Sequence, residues 1–274
     1  MPLSLDHIVI RVQNLEQAVS NFRDAGFTVQ RGGTHADGTT HNALIGFEDG
    51  SYFELIAFLR DAREHRWWDE DQRRGDGFVD FALLPPSVAA VRDAAGSRGL
   101  HYEGPTPGGR TRPDGTRIEW EIGRPSTKDL PFLCGDLTPR FLRVAEGEVR
   151  RHANGALGIA SLVVAVNDLD ASIRRYRALF GDTVEIHVAS VPGHDVRLAT
   201  LSPGEATIVL LQPRPTAGAG AHGNDRTLAS DLRAYLAERG EGVFSVSLAT
   251  SQPAHVHELP ASLTHRATLE LVAR

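Results

Sequence analysis

Two ionisable side chains interrupt apolar strands. His7 stands in LSLDHIVIRV beside Ile8, Val9 and Ile10, and Glu54 stands in SYFELIAF. A carboxylate enclosed by hydrocarbon is costly unless it is paired or bound to a cation. A strand imidazole projects to one sheet face, either as a satisfied core or rim residue or as a donor into a cavity. Glu54 is therefore the stronger local anomaly. Asp80 in GFVDFALL repeats it, with pairing to an arginine and a ligand role both open. His41 opens HNALIGF, where alternation puts it on the face of Ala43 and Ile45; it reads as a metal or substrate contact or as a loop histidine. His35 and His41 flank a glycine-containing turn, and two histidines by themselves are a weak metal signal. Glu119 and Glu121 share one face of RIEWEIG with Trp120 on the other, which is either an acid/base pair or an exposed acidic face over a buried ring. Cys134 in LPFLCGDL reads as a small buried hydrophobe, with no cationic neighbour in sequence to lower its pKa.

The elements that must carry these residues repeat. LSLDHIVIRV reads as a strand, and NLEQAVSNFRDAG puts Leu15, Ala18, Val19 and Phe22 on one helical face, with Asn14 as cap and Gly26 as stop. FTVQRGG, HNALIGF and SYFELIAF then read as strands separated by turns. The order is βαβββ. Residues 76–137 repeat it as GFVDFALL, SVAAVRDAAGSRG, HYEG, TRIEWEIG and LPFLCGDL. Between the two units, LRDAREHRWWDEDQRRGD reads as a helical connector whose Trp67 and Trp68 cover the module edge or wall a ligand cavity. After a junction at 141–158, GIASLVVAVNDLDASIRRYRALFG opens a third unit completed by DTVEIHVAS, HDVRLATL and ATIVLLQP. The linker RPTAGAGAHGN leads to the helix LASDLRAYLAERG and the strands GVFSVSLAT and ATLELVAR, a truncated fourth unit.

LDHIVIRV, NLEQAVSNFRDAG and GSYFELIAF resemble the first module of glyoxalase-like proteins of the vicinal oxygen chelate superfamily, and NDLDASIRRYRALFG resembles the corresponding helix. The resemblance implies an α+β fold in which repeated βαβββ modules pair into open, curved mixed-sheet barrels. It implies a first domain at 1–145 carrying the site and a second at 156–274. It also implies metal ligands on the first and last strands of a module, which fall on His7 and Glu54, with Glu54 as the catalytic residue as well. Asp80 stands where the second module would repeat His7, and Leu133, or Asp136 after a register slip, where it would repeat Glu54. His41 is a further candidate ligand. Imidazole nitrogen with carboxylate oxygen suits a divalent Zn, Fe, Mn, Ni or Co ion with positions left for substrate oxygens. In the third module the counterparts are about Ser161 and Val209, which are not credible ligands. His152 falls at a junction shared with glyoxalase-like proteins and is assigned no catalytic role.

Composition limits the alternatives. The 274 residues, 41% hydrophobic and 23% charged, are ordinary for a folded protein with room for two domains. A net charge of −6 offers no basic surface for nucleic acid or anionic lipid. No apolar run reaches the ~20 residues of a membrane span, and a single cysteine forms no internal disulfide. A cytoplasmic protein with a small-molecule substrate is expected, and homodimerisation through sheet edges is a plausible assembly. No Walker loop, dinucleotide fingerprint or nucleophile elbow is present. The leading expectation is a metal-dependent lyase, isomerase or dioxygenase acting on a small oxygen-rich molecule; the alternative is a metal-free protein that sequesters a small compound, as antibiotic-binding relatives do.

Overall fold

The structure, a computed structural model, describes residues 3–68, 74–191, 193–214, 227–252 and 256–274. Residues 69–73 of the connector and 215–224 of the linker lie outside the described residues, while 59–67 run as turns and bends.

The first strand, β1 (Ser4–Arg11), sets the pattern for the site. Ile8 and Ile10 join the main apolar core, whereas Val9 belongs to a separate cluster on the opposite face. Helix α1 (Leu15–Asp24) follows, capped by Asn14, whose side chain accepts from the Gln17 N–H at 3.0 Å. It buries Leu15, Ala18, Val19 and Phe22. Gly26 has φ +87°, and a Cβ there would also press on Asn154 of the later junction. Glycine answers both constraints. Strands β2 (Gln30–His35), β3 (Thr40–Gly46) and β4 (Tyr52–Phe58) return antiparallel to one another, and β4 lies parallel beside β1 with Val9 opposite Glu54.

The second unit repeats this with β5 (Gly77–Leu84), α2 (Val88–Ser97), β6 (Tyr102–Thr111), β7 (Arg117–Pro125) and β8 (Phe132–Asp136). The units join twice. β1 pairs antiparallel with β5, and β2 meets β6 at Thr34–Thr111 and His35–Arg110. The ladder β1-β4-β3-β2-β6-β7-β8-β5 therefore closes into an eight-stranded barrel. A short helix, α3 (Arg140–Arg143), leaves the barrel toward the junction.

The junction is held by polar anchors. His152 Nδ1 accepts from the Thr28 N–H at 3.0 Å and its Nε2–H donates to the Gly46 carbonyl at 3.0 Å. Beyond it come β9 (Ala156–Ala165), α4 (Leu169–Phe180), β10 (His187–Val191), β11 (Val196–Leu201), β12 (Thr207–Pro213), α5 (Leu228–Arg239), β13 (Gly242–Thr250), β14 (His257–Glu258) and β15 (Leu269–Ala273). They form a seven-stranded sheet ordered β10-β11-β12-β9-β13-β15-β14. In this last unit the helix precedes the first strand instead of following it.

One face of the second sheet, through Leu162, Val164, Ile208 and Leu210, merges with α1, α4 and the outer face of the barrel into a single core. Its other face, through Ala165, Val196 and Leu211, is covered by Ala229 and Leu232 of α5. The register places Val209 opposite Val163 as Glu54 stands opposite Val9, so the counterpart of the Glu54 position lies on this second, apolar face. No helix among the described residues is long and apolar enough to cross a membrane.

Candidate functional site

The barrel encloses a cavity of about 530 Å³ with His7, His35, Asn42 and Glu54 among its walls. His7 owes its pose to an irregularity in β1. Between the pairs Leu5–Leu83 and His7–Ala82 the register shifts, leaving Asp6 as an extra residue. Adjacent strand residues normally face opposite sides, yet here Asp6 Oδ2 lies 2.7 Å from His7 Nδ1. The imidazole stacks on Tyr52, with ring centres 4.5 Å apart, and meets the edge of Phe132 at 5.3 Å. With the Nδ1 proton donated to Asp6, the Nε2 lone pair faces Glu54, 3.6 Å from Oε2.

Asp6 is fully buried and doubly paired. Arg143 Nη1 donates to it at 2.8 Å and Arg140 Nη1 approaches at 2.6 Å. Burial alone would raise its pKa, but the two guanidinium charges and the His7 bond hold it well below the usual carboxylate range. Arg143 also donates to the Tyr52 hydroxyl at 2.6 Å, tying the ring under His7 into the same network.

Glu54 meets the same contest. Burial raises its pKa, and the His35 bond and charge, with help from His7 and Asn42, bring it down to about 2. Asn42 Nδ2 donates to Oε1 at 2.6 Å, and His35 Nε2 stands 3.5 Å from that oxygen. His35 Nδ1 is occupied by Thr40 Oγ1 at 2.7 Å. Gly32 makes room for this arrangement, because a Cβ there would overlap the Asn42 side chain.

Both histidines thus turn Nε2 toward one carboxylate; His7, with Nδ1 held by Asp6, has the arrangement expected of a metal-ligating imidazole, whereas the His35 bond that lowers the Glu54 pKa uses its Nε2–H. Two bonds of ~2.1 Å at a tetrahedral angle put their donors about 3.4 Å apart. The 3.6 Å separation of His7 Nε2 and Glu54 Oε2 fits such a pair. His35 flanks the other oxygen, and among the described residues no group of three or more His, Cys, Asp or Glu side chains is gathered closely enough to hold an ion. The donor chemistry fits a divalent metal at His7 and Glu54, with His35 one carboxylate width away.

The other candidates lie elsewhere. Asp80 is buried, but Arg66 Nη2 at 2.7 Å and Trp67 Nε1 at 3.0 Å occupy its Oδ2, and it does not line the cavity. His41 does share the face of Ala43 and Ile45, but that is the outer face of β3; Thr40, Asn42 and Leu44 take the cavity side, and His41 senses Glu16 of α1. The residue repeating Glu54 in the second module is neither Leu133 nor Asp136. Ala82, two residues beyond Asp80, pairs with Phe132 as Val9, two beyond His7, pairs with Glu54. Leu133 faces the outer core, and Asp136 binds Arg143. Trp120 takes the cavity side of β7; Glu119 also borders the cavity, but it is paired with Arg117 at 2.8 Å. Cys134 also lines the cavity, and burial pushes its thiol well up, so it stays protonated.

This barrel of paired βαβββ modules has the vicinal oxygen chelate fold. The family described as "glyoxalase-like domain" matches residues 5–180, and the chain belongs to it. Solved structures show the same fold. A hypothetical protein from Staphylococcus aureus superposes with a TM-score of 0.71 at 14% identity, over 99% of this chain and 100% of that one. A mutant 4-hydroxymandelate synthase from Streptomyces coelicolor gives 0.63 at 16% identity, over 97% and 75%. A xylose isomerase-like TIM barrel/4-hydroxyphenylpyruvate dioxygenase fusion protein gives 0.58 at 14% identity, over 99% of this chain and 49% of that one. No curated protein matches the sequence.

Proposed function

We propose that the barrel houses a metal-dependent lyase, isomerase or dioxygenase that acts on a small oxygen-rich organic molecule. The observation that carries this reading is the pair His7 Nε2 and Glu54 Oε2, 3.6 Å apart on a cavity wall with Asp6 behind the imidazole. A divalent ion of the Zn, Fe, Mn, Ni or Co group held there would polarise a substrate oxygen, or support oxygen chemistry if it is iron. The chain's own residues do the rest. Asp6 keeps the His7 proton on Nδ1, Asn42 orients Glu54, and Tyr52 and Phe132 keep water from the imidazole faces. Metal analysis of protein purified without a metal-affinity tag is expected to find about one equivalent, with His7→Ala and Glu54→Gln both losing it. Less than about a tenth of an equivalent, with none gained on soaking, would sink the metal reading.

One observation favours a second reading, metal-free capture of a small molecule. The second module supplies Phe132 and an arginine-bound Asp80 where a full ligand set would need two donors. Tight ligand binding by metal-free protein, without turnover, would establish it.

A further inference from the structure

We propose that the cavity takes an organic carboxylate with a flat, apolar body, its carboxylate bound by Arg124 at the mouth. This rests on the reading of the cavity as a small-molecule site and adds the class of molecule.

The walls select the body. From His7 the rings run outward in contact: Phe132 at 5.3 Å, then Trp67 at 6.3 Å from Phe132, then His65 at 5.1 Å from Trp67. Trp67 spends its N–H on Asp80, so it shows the cavity only hydrocarbon. Trp120 starts a second aromatic wall 6.0 Å from His35. A Cβ at Gly108 would overlap its indole, so the ring lies close against a strand without side-chain bulk. Such surfaces favour stacking with a planar ring.

Charge selects the end group. Four arginines line the cavity. Arg143 is committed to Asp6 and Asp136, Arg117 to Glu119, and Arg110 donates to the carbonyls of Gly32 and Arg143. Arg124 follows Trp120 and Ile122 along the cavity face of β7; its main chain pairs with Glu103 of β6, and no ion pair or hydrogen bond joins its guanidinium to a described residue, Asp80 and Glu103 acting on it only at longer range. Its cationic neighbour Arg66 is already bound to Asp80. A guanidinium left open at the end of an aromatic wall is a bidentate receptor for a carboxylate.

Calorimetric titration of the full chain, as purified and with chelator present, tests this with 2-naphthoate and its uncharged counterpart 2-naphthamide. The naphthoate is expected to bind at least about tenfold more tightly, as a charge-assisted pair supplies. Arg124→Gln should erase that preference and Arg124→Lys retain part of it, with melting temperatures unchanged. Equal binding of the two probes to the wild type overturns the carboxylate inference but leaves the cavity a binding site. A preference that survives Arg124→Gln overturns the role of Arg124. Binding of neither probe overturns the proposal altogether, while metal analysis still decides the metal reading independently.

Discussion

At the residue scale Asp6 holds the Nδ1 edge of His7 and so turns Nε2 toward the cavity, as the proposed metal site requires. Asp6→Asn is expected to weaken metal binding by ~10–100-fold, as loss of such a supporting partner usually does. It should also lower stability by about 3–5 kcal/mol, because Arg143 and Arg140 lose a buried counter-charge. Chelator competition and thermal melting separate the effects; unchanged metal affinity would mean Asp6 serves stability alone. His7 and Glu54 were legible in the sequence because each is a polar group in an apolar strand. Asp6 was not, since strand parity sends it to the face opposite His7 and only the irregularity in β1 reverses that. Asn42, Tyr52 and Arg143 were equally hidden. Their contacts depend on register and on a chain segment 137 residues from Asp6.

At the scale of elements, pairing register decides which module sets a polar pair on the cavity wall. In the second module Phe132 occupies the acidic position, and the connector delivers Arg66 and Trp67 to Asp80. Asp80→Asn should therefore leave metal content unchanged while lowering the melting temperature, because a buried ion pair is broken. A loss of metal without loss of stability would restore Asp80 as a ligand. The repeat of strands and helix was readable from periodicity and turn residues. Which residue of LPFLCGDL faces the cavity was not, because a one-residue register difference exchanges Phe132 for Leu133 and reverses their faces.

The whole molecule behaves as one core. Helix α1, the outer face of the barrel and the second sheet bury a continuous apolar cluster, and Arg98, Arg175 and Arg239 each bond across between the two halves. His152 at the junction gives this assembly a pH dependence. Burial lowers its pKa below 6.5, so its neutral form is favoured in the fold. Its contribution is complete above about pH 6.5 and is lost as pH falls toward the lowered value. His41 and His65, the latter held at about 4, act with the same sign. The melting temperature should fall between about pH 7.5 and 5.5, and His152→Asn should fall less steeply. Equal slopes would remove His152 from the account. The α+β modular fold was legible from the repeated grammar, whereas barrel closure rests on non-local pairings such as Ser4–Leu84 and Thr34–Thr111, and the shared core on contacts as distant in sequence as Asn21–His265.

Helix α5 lies on the face of the second sheet that corresponds to the chamber wall of the barrel, and the position repeating Glu54 there is Val209. Repetition of the module has therefore not multiplied the number of seats. A ligand titration of this chain should saturate at one molecule per polypeptide, and a stoichiometry of two would require α5 to leave its sheet.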